Sequence, residues 1–205
     1  HDGILSVGVP GTVAGLYLAH QRLGKLSWAD LVAPSVRLAS EGIAITWALQ
    51  SGFAHNQANW EKYPSSAEIF FKADGSPYEL GDLWIQEDLG HTLELIQHGG
   101  ADGFYKGENA KRLADFMRSE GGLISEEDLI RYRAVERKPI RGTYRGYDIV
   151  SIPPPSSGGT TLVEMLNILE GFNLAEAGHN SPQYMHLLTE AMRRGFADRA
   201  AFLGD

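Results

Sequence analysis

The stretch PIRGTYRGYDIVSI, Pro139 to Ile152, decides the fold class of this chain. It is rich in β-branched and aromatic residues. Arg145-Gly146 stands at its centre, an X-Gly pair suited to a two-residue turn that needs positive φ. Residues 139–152 are therefore expected to form a β-hairpin. Pro153, Pro154 and Pro155 follow. Proline has a fixed φ and no N–H, so neither a helix nor a ladder continues there, and an extended stretch is expected. Gly158-Gly159 then releases the chain into a helix, with Leu162, Met165, Leu166 and Leu169 spaced i, i+3, i+4, i+7.

Outward from the hairpin the helical period dominates. Ser181 is a cap with Pro182 at the first helical position, and the helix it starts runs to Leu203 with Met185, Leu188, Met192 and Phe196 expected inward. On the other side, Ser125 with Asp128 caps a short helix. Asn109 to Glu120 is a helix with Leu113, Phe116 and Met117 on one face, closed by Gly121-Gly122. A helix carrying Leu89, Leu93 and Ile96 ends at Gly99-Gly100. Asp74-Gly75 and Gly81-Asp82 mark turns among short segments between 64 and 86. Thr46 to Lys62 is a helix ended by Tyr63-Pro64. Ser27 with Asp30 caps a helix that stops at Gly42; Pro34 inside it predicts a kink or two short helices. Gly11 to Leu23 forms the first helix, with Val13, Leu16 and Leu23 on one side. The whole reads as mainly α with a small β-hairpin.

Composition narrows the function classes. The chain has 205 residues, 43% of them hydrophobic, which is ample for a packed core and argues against disorder. No apolar run approaches the roughly 18 residues a membrane span requires. There is no cysteine, which removes disulfide scaffolds, cysteine nucleophiles and thiolate metal sites. The net charge of −8 repels phosphate, so nucleic acid is not an expected partner. The basic run Arg131, Arg133, Arg137, Lys138, Arg141 and Arg145 is read as a solvated face of the hairpin region. The seven histidines show no i, i+4 pair and no HExxH; His91 and His98 are two turns apart, so no metal or cofactor is expected.

Two loops invite a functional reading. Gly8-Val9-Pro10-Gly11-Thr12 lacks the GK[ST] ending of a phosphate loop, and Pro10 removes an amide, so close backbone packing of a strand end against a helix is expected. Ser156, Ser157, Gly158 and Gly159 form the other. Two hydroxyls and two glycines precede a helix whose free amides point at the turn, an arrangement that binds an anion or supports an oxyanion. The structural alternative is that Ser157 or Thr160 caps the helix. No GxSxG elbow accompanies these serines. Glu190, Arg194 and Asp198 form an i, i+4, i+8 ladder that supports the last helix.

Seven strings then occur in one order along almost the whole chain: VGVPGTVAG (Val7 to Gly15), FYKG (Phe104 to Gly107), GGLIS-x-EDL (Gly121 to Leu129), Y-x-AVER-x-PI-x-G-x-YRGY (Tyr132 to Tyr147), PPPSSGG (Pro153 to Gly159), NILE (Asn167 to Glu170) and ADR-x-x-x-LGD (Ala197 to Asp205). Together they resemble the large subunit of γ-glutamyltranspeptidases. That resemblance implies a fragment of the αββα N-terminal-nucleophile hydrolase sandwich. Residues 1–205 would be the helical part of the large subunit, including hairpin 139–152, with the catalytic small subunit absent. It also implies a precursor that cuts itself and frees a threonine at the start of the small subunit. That threonine attacks the γ-glutamyl amide of glutathione or a similar donor, and the acyl group passes to water or an amino acid.

The same resemblance places the processing threonine downstream of Leu203-Gly204-Asp205, and the arginine that holds the donor's α-carboxylate before Val7. Residue 1 is His, not Thr, Ser or Cys. No catalytic residue of the family maps onto a position here, and Thr160-Thr161 is not the processing site. Ser156, Ser157, Gly158 and Gly159 remain as substrate-cleft candidates, and the chain is expected to be inactive alone. Its expected partners are the small subunit of the same precursor and, in the complete enzyme, γ-glutamyl compounds such as glutathione. A periplasmic or secreted location is expected, with the cytoplasm as the alternative; any secretion signal lies outside these residues. The alternatives in function are a cephalosporin-acylase-like relative and a non-catalytic helical binding module. A hairpin taken out of a sandwich leaves unpaired edges, so self-association or disorder through residues 139–152 is also expected.

Overall fold

The computed structural model describes residues 3–203, which divide into two compact units between Val135 and Glu136. The first contains α1 (Thr12–Leu23), α2 (Trp28–Glu41), β1 (Ile43–Ala44), α3 (Trp47–Trp60), α4 (Pro64–Phe70), β2 (Leu83–Trp84), α5 (Glu87–Gly99), α6 (Asp102–Tyr105), α7 (Gly107–Ser119) and α8 (Glu126–Arg131). The second contains β3 (Ile140–Tyr144), β4 (Tyr147–Ser151), α9 (Gly158–Glu170), α10 (Leu174–Ala177) and α11 (Pro182–Phe202). The described chain is mostly helix with two small antiparallel sheets, β1–β2 and β3–β4. His1 and the Gly204-Asp205 end of the last motif lie outside the described residues.

Side-chain caps set the starts of α2, α3 and α8 in the first unit. The Ser27 hydroxyl accepts from Asp30 N–H at 3.1 Å and the Thr46 hydroxyl from Leu49 N–H at 3.3 Å. Ser125 and Asp128 complete a reciprocal capping box. Pro34 does not split α2, which continues as one helix through it. Its missing N–H removes one backbone bond, but α5 braces the helix along its length. Trp28 Nε1 donates to Ile96 O at 2.8 Å and Gln97 Nε2 to Ala29 O at 3.0 Å. At the far end Gly90 is buried against Ser40, so α2 and α5 run antiparallel.

The buried centre of this unit is Tyr105, Ala110, Met117, Ile124 and Leu129, surrounded by Ile4, Val9, Val13, Ala14, Phe104, Leu113 and Tyr132. Met117 points inward as the helical spacing predicts, whereas Phe116 is exposed. Leu16 and Leu23 of α1 are also exposed, so only Val13 of the expected face packs. A second group is aromatic. Phe53 meets Trp60, Phe70, Tyr78 and Trp84 edge-on, and Trp60 stacks on Phe70 with ring centroids 3.9 Å apart. This packing draws in α4, whose Pro64 sits at the first helical position.

In the second unit the hairpin forms at the expected place. Tyr144 pairs with Tyr147 and Ile140 with Ser151, leaving Arg145 (φ 49°) and Gly146 (φ 85°) as the two turn residues. Ile140, Gly142, Tyr144, Ile149 and Ser151 are half-buried, while Arg141, Thr143, Asp148 and Val150 are exposed. That alternation puts one face on α9, where Gly142 leaves room for Val163. Residues 154–155 form a turn with a cis Pro154–Pro155 bond instead of the expected extended run. Proline excludes a ladder but not a tight turn.

The Ser181 hydroxyl starts α11 by accepting from Tyr184 N–H at 3.1 Å. Its inward face differs from the expected one. Ala191 and Gly195 are buried, whereas Met185, Met192 and Phe196 are exposed and only Leu188 of the expected set is half-buried. The reason is a close helix crossing: a Cβ on Gly195 would lie 3.1 Å from Met165 of α9. Small residues take the seam and the large ones are displaced to the adjoining face. On α9 itself Leu169 is buried but Leu162 is exposed.

Candidate functional site

The turn before α9 is built by three chain segments. β4 delivers Ser151 and Ile152, the prolines reverse the chain, and α9 begins at Gly158. Gly159 is buried, and a Cβ there would overlap the carbonyl oxygen of Ile152. Ser156 turns on itself, its hydroxyl accepting from Gly158 N–H at 3.3 Å. Ser157 occupies the N-cap position, yet neither it nor Thr160 caps the helix. Its backbone is already helical (φ −75°, ψ −18°), and a capping hydroxyl needs the extended backbone that aims it at the second and third amides. Ser157 Oγ instead accepts from Nε of Arg199, on α11, at 2.8 Å. Gly159 and Thr160 N–H find no acceptor among the described residues.

Electrostatics at this turn separates binding from bond-making chemistry. A serine nucleophile needs a neighbouring base to take its proton. The partner of Ser157 is a guanidinium, which has no acceptor and stays protonated. Ser156 is engaged with backbone. The four predicted cleft residues are thus brought together, with no nucleophile–base pair among them. Thr161, one residue further, is buried with its hydroxyl unpartnered, its methyl facing Gly195.

Arg199 and Glu164 are the residues that sequence reasoning missed at this site. Arg199 stood only inside the ADR string, 42 residues from the serine it bonds, and no local periodicity connects them. The i, i+4, i+8 spacing predicts a ladder from Glu190 through Arg194 to Asp198 along α11. Glu190 does engage Arg194 at 2.8 Å, and Arg193 as well at 2.7 Å. Asp198, however, turns to Glu164 of α9. Desolvation first, then the hydrogen bond and negative charge of Asp198, hold the Glu164 carboxyl above its ordinary range. A raised folded pKa means that stability is greater when the carboxyl is protonated. It is lost as pH climbs from the ordinary carboxylate range through the raised value. Asp198→Asn is therefore expected to stabilise the protein at pH 7, by on the order of 0.5 kcal/mol for so accessible a pair. The gain should fade near pH 4. Thermal melts at the two pH values check this, and an equal shift at both would contradict it.

The other motifs have structural partners. The Tyr105 hydroxyl donates to Pro10 O at 2.6 Å and accepts from Ala14 N–H at 3.2 Å, and Tyr132 OH lies against Gly11. The glycine-rich residues 8–15, an irregular run entering the first turn of α1, pack on two tyrosines rather than forming the end of a strand. Tyr105 and Tyr132 also line an open cleft of about 300 Å³ with Tyr17, Leu18, Ile130 and Arg133. In the basic run, Arg131 pairs with Glu127, Arg133 donates to two carbonyls, and Arg145 donates to Phe172 O. His20 bonds Leu26 O and His91 lies between Glu94 and Glu108. No group of three or more metal-ligating side chains occurs among the described residues. Among them, no helix is long and apolar enough to cross a membrane.

Comparison with known proteins decides the family. The family model described as gamma-glutamyltranspeptidase matches residues 1–205. The chain belongs to the γ-glutamyltranspeptidase family. The glutathione hydrolase proenzyme of Escherichia coli is 42% identical to this γ-glutamyltranspeptidase chain over 202 residues, covering 98% of it and 35% of the relative. The acylase ACY 1 proenzyme of a Pseudomonas species is 39% identical over 203 residues, covering 99% of this chain and 36% of the relative. Among solved structures, the Helicobacter pylori γ-glutamyltranspeptidase superposes with a TM-score of 0.96 at 41% identity, over 100% of this chain and 59% of that one. The chain thus spans about a third of the length of the curated relatives it matches.

Proposed function

We propose that these residues form part of the large subunit of a γ-glutamyl-transferring hydrolase, serving as scaffold for a nucleophile that a partner subunit of the same precursor supplies. In the complete enzyme a threonine at the partner's N-terminus attacks the γ-carbonyl carbon of glutathione or a similar donor. Its α-amine takes the hydroxyl proton and passes it to the leaving amine, and the resulting ester is resolved by water or an amino acid. The chain needs no cofactor for this and sits in the αββα N-terminal-nucleophile hydrolase sandwich. It acts in the periplasm or outside the cell. Ser156, Ser157, Gly158 and Gly159 border the substrate cleft, contributing amides and hydroxyls and no base.

The observation that carries the reading is the family match over residues 1–205, joined to a candidate turn that holds no nucleophile–base pair. The uncovered apolar residues of the second unit support it. Met185, Met192 and Phe196 share one face of α11, and among the described residues β3 and β4 pair only with each other. A cephalosporin-acylase-like substrate is the second reading, favoured by the acylase relative, whose 39% identity is close to the 42% of the glutathione hydrolase.

The test compares this chain alone with the complete precursor, each given a chromogenic γ-glutamyl anilide and an acylated cephalosporin. The chain alone should release neither product. The precursor should mature and cleave the γ-glutamyl anilide. Glutamate release by the chain alone, free of contaminating enzyme, would overturn the scaffold role. Cephalosporin cleavage without γ-glutamyl cleavage would favour the second reading. The chain alone is also expected to self-associate through residues 139–152. Sedimentation giving a monodisperse monomer, with the hairpin protected in hydrogen exchange, would exclude that.

A further inference from the structure

We infer that Arg199 is a positioning residue for precursor maturation, acting as a latch that sets where the chain leaves α11. This rests on the reading above, in which the precursor cuts itself downstream of that helix. In that cut water is added across one peptide bond, leaving a carboxylate on the large subunit and a free α-amine on the threonine.

The observation is how α11 ends. Gly195 is the last of its residues to be buried, and residues 196–202, about two turns, are all exposed. Among the described residues, the chain's own packing therefore fixes α11 as far as Gly195, and beyond it only Leu203 is half-buried. Two side chains of the exposed turns reach back to α9. Asp198 meets the Glu164 carboxyl, a like-charge neighbour that gives no attraction once both are ionised. Arg199 donates Nε–H to Ser157 Oγ at 2.8 Å. Ser157 is itself fixed, because the next residue but one, Gly159, lies with its backbone against Ile152 O at the end of the hairpin. One hydrogen bond thus ties the exit of α11 to the start of α9 and to the base of β4. A nucleophile downstream of α11 must reach its own peptide carbonyl within bonding distance, so a shift of the exit by an ångström lowers the fraction of productive geometries.

Maturation of the complete precursor tests this, followed as the fraction cleaved with time, using Arg199→Ala, Ser157→Ala, the double variant and Arg199→Lys. Each single alanine variant should lengthen the cleavage half-time about fivefold, the scale of one hydrogen bond to a charged donor near solvent. The double variant should cleave no more slowly than the slower single, since both remove the same contact. Arg199→Lys, which keeps a donor on a flexible stem, should recover part of the loss. Leu169→Val provides a control for stability, and it should cleave at the wild-type rate even where its Tm falls as far as that of Arg199→Ala. Cleavage at the wild-type rate in both alanine variants would overturn the latch, as would additive losses in the double variant or equal slowing in Leu169→Val. A wild-type precursor that cleaves but releases no glutamate from a γ-linked donor would instead overturn the function proposed above and leave the latch standing.

Discussion

A Gly159→Ala protein is expected to lose about 2–3 kcal/mol of stability, whereas Gly158→Ala, its neighbour, is expected to remain at or slightly above wild type. The two substitutions are chemically identical, and helix propensity favours both by up to about 1 kcal/mol over glycine. They differ in what the added methyl meets. At Gly158 the nearest heavy atom is Ser156 Oγ at 3.5 Å, an ordinary contact. At Gly159 the methyl would overlap the carbonyl oxygen of Ile152, and that atom belongs to backbone at the foot of the hairpin. Either β4 retreats from α9 or the first turn of α9 unwinds. Both movements uncover the face of the hairpin that α9 covers. Urea unfolding of the two variants checks this. Equal midpoints would show that the chain relaxes around position 159 at no cost.

The second large effect belongs to the first unit. Leu129→Ala should cost about 3–4 kcal/mol, within the 2–5 kcal/mol range for removing a leucine side chain from a close-packed interior. Leu129 has 0% of its surface exposed and sits with Met117, Ile124 and Tyr105. Its position is fixed from both sides. The Ser125–Asp128 capping box immediately precedes it, and Tyr132 stacks on Tyr105 just after it. Little movement is available to close the void, so the low end of the range does not apply. Leu123→Ala is the contrasting variant: Leu123 is 74% exposed, and its loss should be within about 0.5 kcal/mol. A Leu129→Ala protein that unfolds with the same midpoint as Leu123→Ala would remove Leu129 from the core.

Which features were legible in the sequence follows from the range of the forces behind them. Arg145-Gly146, Ser125 with Asp128, and Ser181-Pro182 announce a turn and two helix starts because each acts over four residues or fewer. β1 and β2 are two residues long and pair Ile43 with Trp84, a partnership no local pattern reports. Helices α6 and α10 have four residues each, less than the window in which a 3.6-residue period shows. The inward face of α11 differs from the expected one for another reason. Hydrophobic periodicity points large apolar residues at the core, but at a close crossing small residues take the seam, as Ala191 and Gly195 do. Ser156 to Gly159 were legible as a turn before a helix. Their partner Arg199 was not, because a bond across 42 residues is set by tertiary packing alone.

The hairpin is fastened to α9 at both ends. At its tip, Arg145 N–H donates to Glu170 Oε1 at 2.7 Å and Arg145 Nη2 to Phe172 O at 2.8 Å, where the helix finishes. At its foot, Ile152 meets Gly159, where the helix begins. The two spans agree: five strand residues cover about 17 Å and thirteen helical residues about 20 Å. Helix and ribbon therefore gauge one another's length. Adding one residue pair to the ribbon lengthens it by about 3.4 Å, which two helical residues at about 1.5 Å each nearly match. Insertions and deletions in relatives should accordingly appear here as coordinated changes on both sides or not at all, with unilateral length drift confined to places such as the 71–82 connection.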